Sequence, residues 1–213
     1  MWNQRIYGVL NAIKRHGILG YTWRLLHRIM QFIYKKQMST VFRRDLTNDI
    51  ELLDAKIPLE IRVYQPEDKA LLFEFLENYV RHDLIEKILS HGLTPMLGIV
   101  NNEIIALSWF TTNPLYLESL NLTLDYGNQT GYIEGSRTDD RFKGKSIAPA
   151  IRTRICKHLR GIGMKQVFVA AGDDNIASQS VARKCRFEPY ESITMRRIFM
   201  IHSYRRHKCG TIE

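Results

Sequence analysis

A basic loop of small residues restricts the fold of this chain more than any other segment. The loop, 143–148, lies between a predicted strand at 130–138 and a predicted helix whose buried face has helical spacing: Ile147, Ile151, Ile155 and Leu159. Successive backbone N–H groups of such a loop can bind an anion, and the dipole of the following helix adds to the attraction. The segment therefore predicts a strand–loop–helix unit that binds a phosphate.

The spacing of the glycines and lysines in the sequence excludes two common nucleotide-binding loops. The sequence has neither the Gly-x4-Gly-Lys-Ser/Thr pattern of a Walker loop nor the Gly-x-Gly-x-x-Gly pattern of dinucleotide-binding folds. Small side chains at Gly144, Ser146 and Ala148 would let a pyrophosphate approach the backbone closely. A plain basic surface loop before a helix has the same local sequence, so the interpretation depends on the rest of the chain.

A second motif follows a predicted strand at 166–171. It has the pattern Asn175-x-x-Ser178-x-x-Val181-x-x-Lys184-x-x-Phe187 and fits a helix. A capped helix that packs Val181 and Phe187 into a core would explain the apolar positions alone.

Together, the two motifs resemble those of the GNAT superfamily of acyl-CoA N-acyltransferases. The family's loop has the pattern Arg/Gln-x-x-Gly-x-Gly/Ala; here Lys143 takes the place of the Arg or Gln, Ser146 that of the first Gly and Ala148 that of the second small residue. A shifted register that begins at Arg141 also satisfies most of the pattern. The predicted order of elements over 59–200 is similar to that of the family: strand, two helices, three-strand meander, helix, strand, helix, strand.

The resemblance implies a mixed α/β fold, an acetyl-CoA or other acyl-CoA co-substrate with no metal, and acyl transfer to a primary amine on a small molecule, protein or glycan. It assigns acyl-CoA binding to Thr138, Lys143, Gly144, Lys145, Ser146, Ile147, Ala148, Asn175 and Ser178. Glu134, with room for substrate at Gly131, Tyr132 and Gly135, is the candidate base; a half-exposed strand carboxylate without a catalytic role is the alternative. Ser178 or a water would protonate the leaving thiolate.

Three positions depart from the family pattern. Ser146 replaces a Gly, Arg186 replaces the Gly before Phe187, and Ala182 stands where many members have the Tyr that protonates the thiolate. Ser146 and Ala182 keep one alternative open, a catalytically inactive CoA-binding sensor or scaffold. A second alternative is a long-chain N-acyltransferase that uses an acyl carrier protein as donor, because the basic N-terminal residues could dock an acidic protein.

The net charge of +9 comes entirely from the N-terminal fifth of the chain. Residues 1–44 contain nine Lys and Arg and no Asp or Glu, whereas the other 22 Lys and Arg match the 22 Asp and Glu. Apolar and basic positions alternate there with helical spacing. The sequence therefore predicts a basic amphipathic helical extension over 1–44, a connector over 45–58, the GNAT domain over 59–200 and a basic tail over 201–213.

Three interpretations of the extension stay open. In the first, it binds an anionic membrane surface, which would place a cytoplasmic protein on the inner membrane face. In the second, it binds an acidic carrier protein. In the third, it packs on its own domain or on a second subunit of a homodimer. Nucleic-acid binding is not favoured, because no reader motif accompanies the charge. Three cysteines without a Cys-x-x-Cys pair argue against a disulfide framework and a zinc site, and suit a reducing compartment.

Overall fold

The computed structural model of the protein describes residues 34–77, 79 and 82–210. The chain divides into two compact units. Of the described residues, the first unit contains 34–38 and Thr194–Arg206, and the second contains Ser39–Ile193 and 207–210. Within the described ranges, every helix is too short or too polar to span a membrane.

The described residues form ten strands and four α-helices. The strands are β1 Tyr34–Asp45, β2 Glu60–Val63, β3 Thr94–Val100, β4 Glu103–Thr111, β5 Leu115–Leu117, β6 Leu122–Leu124, β7 Thr130–Thr138, β8 Gln166–Gly172, β9 Glu188–Ile198 and β10 Ile201–Lys208. The α-helices are α1 Lys69–Leu76, α2 His82–Ser90, α3 Ile147–Gly161 and α4 Ile176–Lys184. Short 3-10 helices, Pro66–Asp68 and Asp140–Phe142, precede α1 and the loop before α3.

The second unit is built on one mixed sheet with the strand order β9–β1–β8–β7–β4–β3–β2. Strands β7 and β8 are parallel, so α3 supplies the crossover between them. On its other edge, β8 pairs with β1 in antiparallel fashion, from Ser39 opposite Gly172 to Asp45 opposite Gln166. Strands β5 and β6 form a separate hairpin.

Two apolar clusters cover the two faces of this sheet. Met96 and Ala106 belong to the cluster with α3 and the end of α4, whereas the next residues, Leu97 and Leu107, belong to the cluster with α1 and α2. Because successive strand residues point to opposite faces, α3 and α4 lie on one face, and α1 and α2 on the other.

Two consecutive Asn residues between the apolar runs of β3 and β4 predict a two-residue hairpin turn, and the structure confirms it. Asn101 and Asn102 both have positive φ, 49° and 62°. Two-residue hairpins of this type need positive φ at both central positions, which Asn tolerates better than other non-glycine residues.

One of the predicted boundaries is wrong. The helical extension predicted over 1–44 does not include residues 34–44, which belong to β1, where Val41 and Phe42 are fully buried and pair with β8. Residues 1–33, the rest of that prediction, lie outside the described residues. Within the basic tail predicted over 201–213, Ile201–Lys208 forms strand β10, the neighbour of β9.

Candidate functional site

A cleft of about 570 Å³ opens where β7 and β8 diverge. Their parallel pairing ends at Ile133 opposite Val169, although β7 continues to Thr138 and β8 to Gly172. Beyond that point the two strands line opposite sides of the cleft, and their facing edges make no ladder hydrogen bonds to each other. A ligand arm inserted there would meet unpaired backbone N–H and C=O groups.

A β-bulge lies where β7 leaves β8. Trp109 of β4 pairs with Glu134 and Ser108 pairs with Ser136, so Gly135 has no partner in the ladder. Gly135 has a φ of +55°, and the Ser108 hydroxyl donates a hydrogen bond to its carbonyl at 2.8 Å. A bulge with a left-handed glycine bends its strand, which accounts for the divergence from β8.

The basic loop forms the mouth of the cleft. Gly144 and Ser146 both adopt left-handed backbone conformations, with φ of +77° and +58°. Ser146 is the N-cap of α3, but its side chain makes no capping hydrogen bond. The first N–H groups of α3 therefore have no side-chain acceptor, and they lie at the positive end of the helix beside the cleft.

A second helix N-terminus lies at the same cleft. The side-chain oxygen of Asn175 accepts a hydrogen bond from the backbone N–H of Ser178 at 3.0 Å, which caps α4. Both residues line the cleft, and Ser178 is half-buried. The two motifs found in the sequence thus meet across one cavity.

All but one of the predicted acyl-CoA residues line this cleft: Thr138, Lys143, Gly144, Ser146, Ile147, Ala148, Asn175 and Ser178. Lys145 is the exception; it is exposed, and its carbonyl accepts a hydrogen bond from Lys56 N–H at 2.8 Å. Arg141, which begins the alternative register, is not among the lining residues. Contact of the eight lining residues with acyl-CoA stays a prediction.

Lys143 at the mouth and Arg141 just before it are both paired with carboxylates. Lys143 Nζ lies 2.7 Å from Asp140 Oδ1, and this hydrogen bond raises the pKa of Lys143. Arg141 binds Asp139 and Glu103, and its hydrogen bond lowers the pKa of Asp139. Because these side chains are mostly exposed, we expect the backbone N–H groups to dominate anion binding.

Glu134 is half-buried on β7, next to the bulge, and is not itself among the residues that line the cleft. Burial, and then repulsion from the Glu118 carboxylate, raises the pKa of Glu134 above its ordinary value. The predicted room for substrate around it is partly wrong. A Cβ on Gly131 would lie 2.6 Å from a methyl group of Leu159, and Tyr132 is 1% exposed, so only Gly135 opens to the cleft.

Sequence reasoning missed Arg152 on α3. This arginine lines the cleft although only 3% of it is exposed. The signal was present: Ala148 and Cys156, one turn before and one turn after, are small or apolar and lie on the same side of the helix. An arginine between such residues indicates a buried charge.

No protein-family model and no curated protein matches this sequence. Solved structures do match. A GCN5-related N-acetyltransferase from Sphaerobacter thermophilus aligns with a TM-score of 0.55 and 11% identity, over 88% of this chain and 57% of that one. A GNAT-family acetyltransferase from Colwellia psychrerythraea aligns with a TM-score of 0.53 and 13% identity, over 73% and 53%.

This chain has the GNAT fold. The predicted fold class, a mixed α/β sheet of the GNAT type, is thereby confirmed. A GCN5-related glucosamine N-acetyltransferase region of a fungal multi-domain GH3 beta-N-acetylglucosaminidase is also similar, with a TM-score of 0.59, 14% identity and coverage of 84% of this chain. This chain spans 22% of that protein and little more than half of the two bacterial ones. At these identities the likeness concerns the fold alone.

Proposed function

We propose that this protein is an N-acyltransferase that transfers an acetyl or other acyl group from acyl-CoA to a primary amine. The observation that carries the proposal is the convergence at one cleft of the uncapped N-terminus of α3, the N-terminus of α4 and the divergent edges of β7 and β8. The pyrophosphate of CoA fits the N–H groups at the mouth, and the pantetheine arm fits the space between the two strands.

The reaction needs positioning and one proton acceptor. The amine nitrogen bonds to the thioester carbon, the C–S bond breaks, and the departing thiolate takes up a proton while the amine loses one. Glu134 is the proposed base, because its raised pKa makes it a stronger proton acceptor than an exposed glutamate. Ala182 is fully buried and has no proton to give, so Ser178 or a water would protonate the thiolate.

Thiol release in the presence of acyl-CoA and a panel of amines tests this function. We expect Glu134→Gln to lower kcat by about 100-fold and to leave the affinity for acyl-CoA nearly unchanged. Glu188→Gln, which neutralises an exposed glutamate on β9, is the matched control. An unaltered pH–rate profile in Glu134→Gln would remove Glu134 from the mechanism.

The same measurements separate the alternatives. Calorimetric binding of acetyl-CoA without turnover on any amine would favour a CoA-binding sensor or scaffold. Turnover with acyl carrier protein thioesters, and none with acyl-CoA, would favour the carrier-protein donor. The absence of any CoA binding by the wild-type protein would contradict both the proposed function and the sensor.

We further propose that the protein works at an anionic membrane surface, supported by the hairpin of β9 and β10 in the first unit. Its tip has four consecutive exposed apolar residues: Ile198 53%, Phe199 57%, Met200 83% and Ile201 75%. Residues 194–206 contain four arginines and no Asp or Glu. An apolar tip on a basic hairpin suits insertion among anionic lipid headgroups, where each arginine contributes about 1 kcal/mol.

Flotation of the full-length protein with phosphatidylcholine vesicles, with and without phosphatidylserine, tests this location. We expect binding only to the anionic vesicles, and loss of most of it when Phe199 and Met200 are both changed to Ser. Ile162→Ser, at a 51% exposed position in the second unit, is the matched control. Equal flotation with both vesicle types would contradict the proposal.

A further inference from the structure

Arg152 is a buried cation without a carboxylate partner among the described residues. Its side chain lines the cleft, and its Nε and Nη1 atoms make no hydrogen bond within the described part of the chain. A buried guanidinium that lacks hydrogen bonds loses its hydration without compensation, which is among the costliest arrangements in a folded protein. A ligand that completes these hydrogen bonds would remove the cost.

The groups around Arg152 bring no negative charge. The neighbours that act on its charge are the thiols of Cys156 and Cys185, and burial raises the pKa of both, that of Cys156 to about 12. The thiols are therefore neutral near pH 7. The nearby Arg44 adds a second buried cation, which donates from Nη1 to the carbonyl of Cys185 at 2.7 Å. Since the described residues supply no anion to balance Arg152, we assign that role to a bound ligand.

Arg152 lies at the level of the cleft floor. Helix α3 runs back along β7 and β8 from the mouth, so Arg152, five residues after Ile147, lies ~7.5 Å along the helix axis. Val169, where the strands converge, is three residues before the end of β8, ~10 Å from the mouth. The floor is thus the end of the cleft away from the phosphate-binding loop, where the thioester end of a donor arrives.

We propose that Arg152 binds the carboxylate of the acyl group, so that the donor is the CoA thioester of a dicarboxylic acid. This inference rests on the proposed acyl transfer and names its donor class. A planar guanidinium presents paired N–H donors that fit a carboxylate, and a terminal carboxylate supplies the charge that an acetyl group lacks. The nucleotide phosphates stay at the mouth.

Isothermal titration calorimetry of the full-length protein tests the donor class with pairs of acyl groups that have the same number of heavy atoms. Malonyl-CoA is compared with isovaleryl-CoA, and succinyl-CoA with 4-methylpentanoyl-CoA; each pair differs by a carboxylate in place of an isopropyl group. We expect at least one carboxylate donor to bind about tenfold or more tightly than its neutral counterpart. Equal affinities within both pairs in the wild-type protein would overturn the proposal, whatever the variants do.

Arg152→Met should abolish that preference and change the affinity for acetyl-CoA less than about threefold. Arg154→Met is the matched control, since Arg154 lies on the same helix but pairs with Asp54 outside the cleft; it should keep the preference. If Arg152→Met instead weakens all CoA thioesters equally, and loss of the 3′-phosphate from the ligand removes the difference, Arg152 binds a phosphate and the proposal is wrong. Failure of every CoA thioester to bind would contradict the acyltransferase function itself.

Discussion

The mouth and the floor of the cleft both carry cations, but in opposite physical settings. At the mouth, Lys143 is exposed and already paired with Asp140 of its own loop. Arg141, just outside the cleft, is likewise exposed and paired with Asp139 and Glu103. At the floor, Arg152 is 3% exposed and has no carboxylate partner within the described residues. Solvent and a carboxylate partner therefore limit the electrostatic effect of Lys143, whereas burial without such a partner makes the effect of Arg152 large.

This difference separates two tasks of a donor site. An exposed, paired mouth can accept any nucleotide-bearing thioester, because backbone N–H groups and a helix dipole recognise phosphate without regard to the acyl group. A buried, unpaired cation discriminates, because leaving it without an anion costs free energy. The backbone N–H groups at the mouth would bind the phosphates of any CoA donor, and Arg152 at the floor would select the acyl group.

The largest effect should follow from placing a negative charge at the mouth. Ser146→Glu puts a carboxylate beside the bound phosphates, and we expect acetyl-CoA affinity to fall on the order of 100-fold, measured by calorimetry. Ser146→Ala keeps the side chain small and neutral and should bind nearly as well as wild type. Comparable binding by both variants would move the phosphates away from this loop.

Removing the charge of Arg152 should stabilise the ligand-free protein against unfolding. Arg152→Met removes an unpaired buried charge at similar volume, so we expect the free energy of unfolding in urea to rise by about 1–4 kcal/mol. Arg154→Met breaks a partly exposed ion pair instead and should bring no gain. A loss of stability in Arg152→Met would show that the guanidinium already has a partner.

Burial also changes the behaviour of a carboxylate: the half-buried Glu134 has a raised pKa, which predicts how kcat depends on pH. Glu134 accepts a proton only when ionised, so kcat should fall as the pH drops through its raised pKa. Glu118→Gln removes the repulsion that helps to raise this pKa, and the acid limb of the pH–rate profile should move to lower pH. A shift to higher pH would contradict the assignment of Glu134 as the base.

The smallest effect should follow from removing the charge of Lys143, which takes the Arg or Gln position of the loop pattern. Lys143→Met breaks one exposed pair with Asp140, so we expect no measurable change in Tm and a loss of acetyl-CoA affinity below about fivefold. A loss as large as that of Ser146→Glu would mean that the Lys143 ammonium, rather than the backbone, holds the phosphates.

Local patterns in the sequence were enough for most elements of the GNAT domain. The bounds predicted for β7, 130–138, match the structure, and the two Asn residues of the β3–β4 turn adopt the expected backbone. These features depend on neighbouring residues, so periodicity and turn chemistry reveal them.

The features that were missed depend on distant contacts. The bulge at Gly135 is defined by its register against β4, and the surroundings of Arg152 include Cys185, which follows α4 in the sequence. Residues 38–42 have a strand-like sequence, but the continuation of β1 to Asp45 involves pairing with β8, far along the chain. Long-range pairing, rather than local preference, decides each of these cases.

The place of β1 in the sheet has a consequence for how the protein folds. Thr40 hydrogen-bonds to Asp173, 133 residues further along the chain, and the pairing around it completes the outer edge of β8. During synthesis β1 leaves the ribosome long before its partner, so β1 stays unpaired until the whole stretch between the two strands has been made. Contacts of such sequence separation slow folding, and an unpaired β1 with Val41 and Phe42 uncovered would be a site where newly made chains associate.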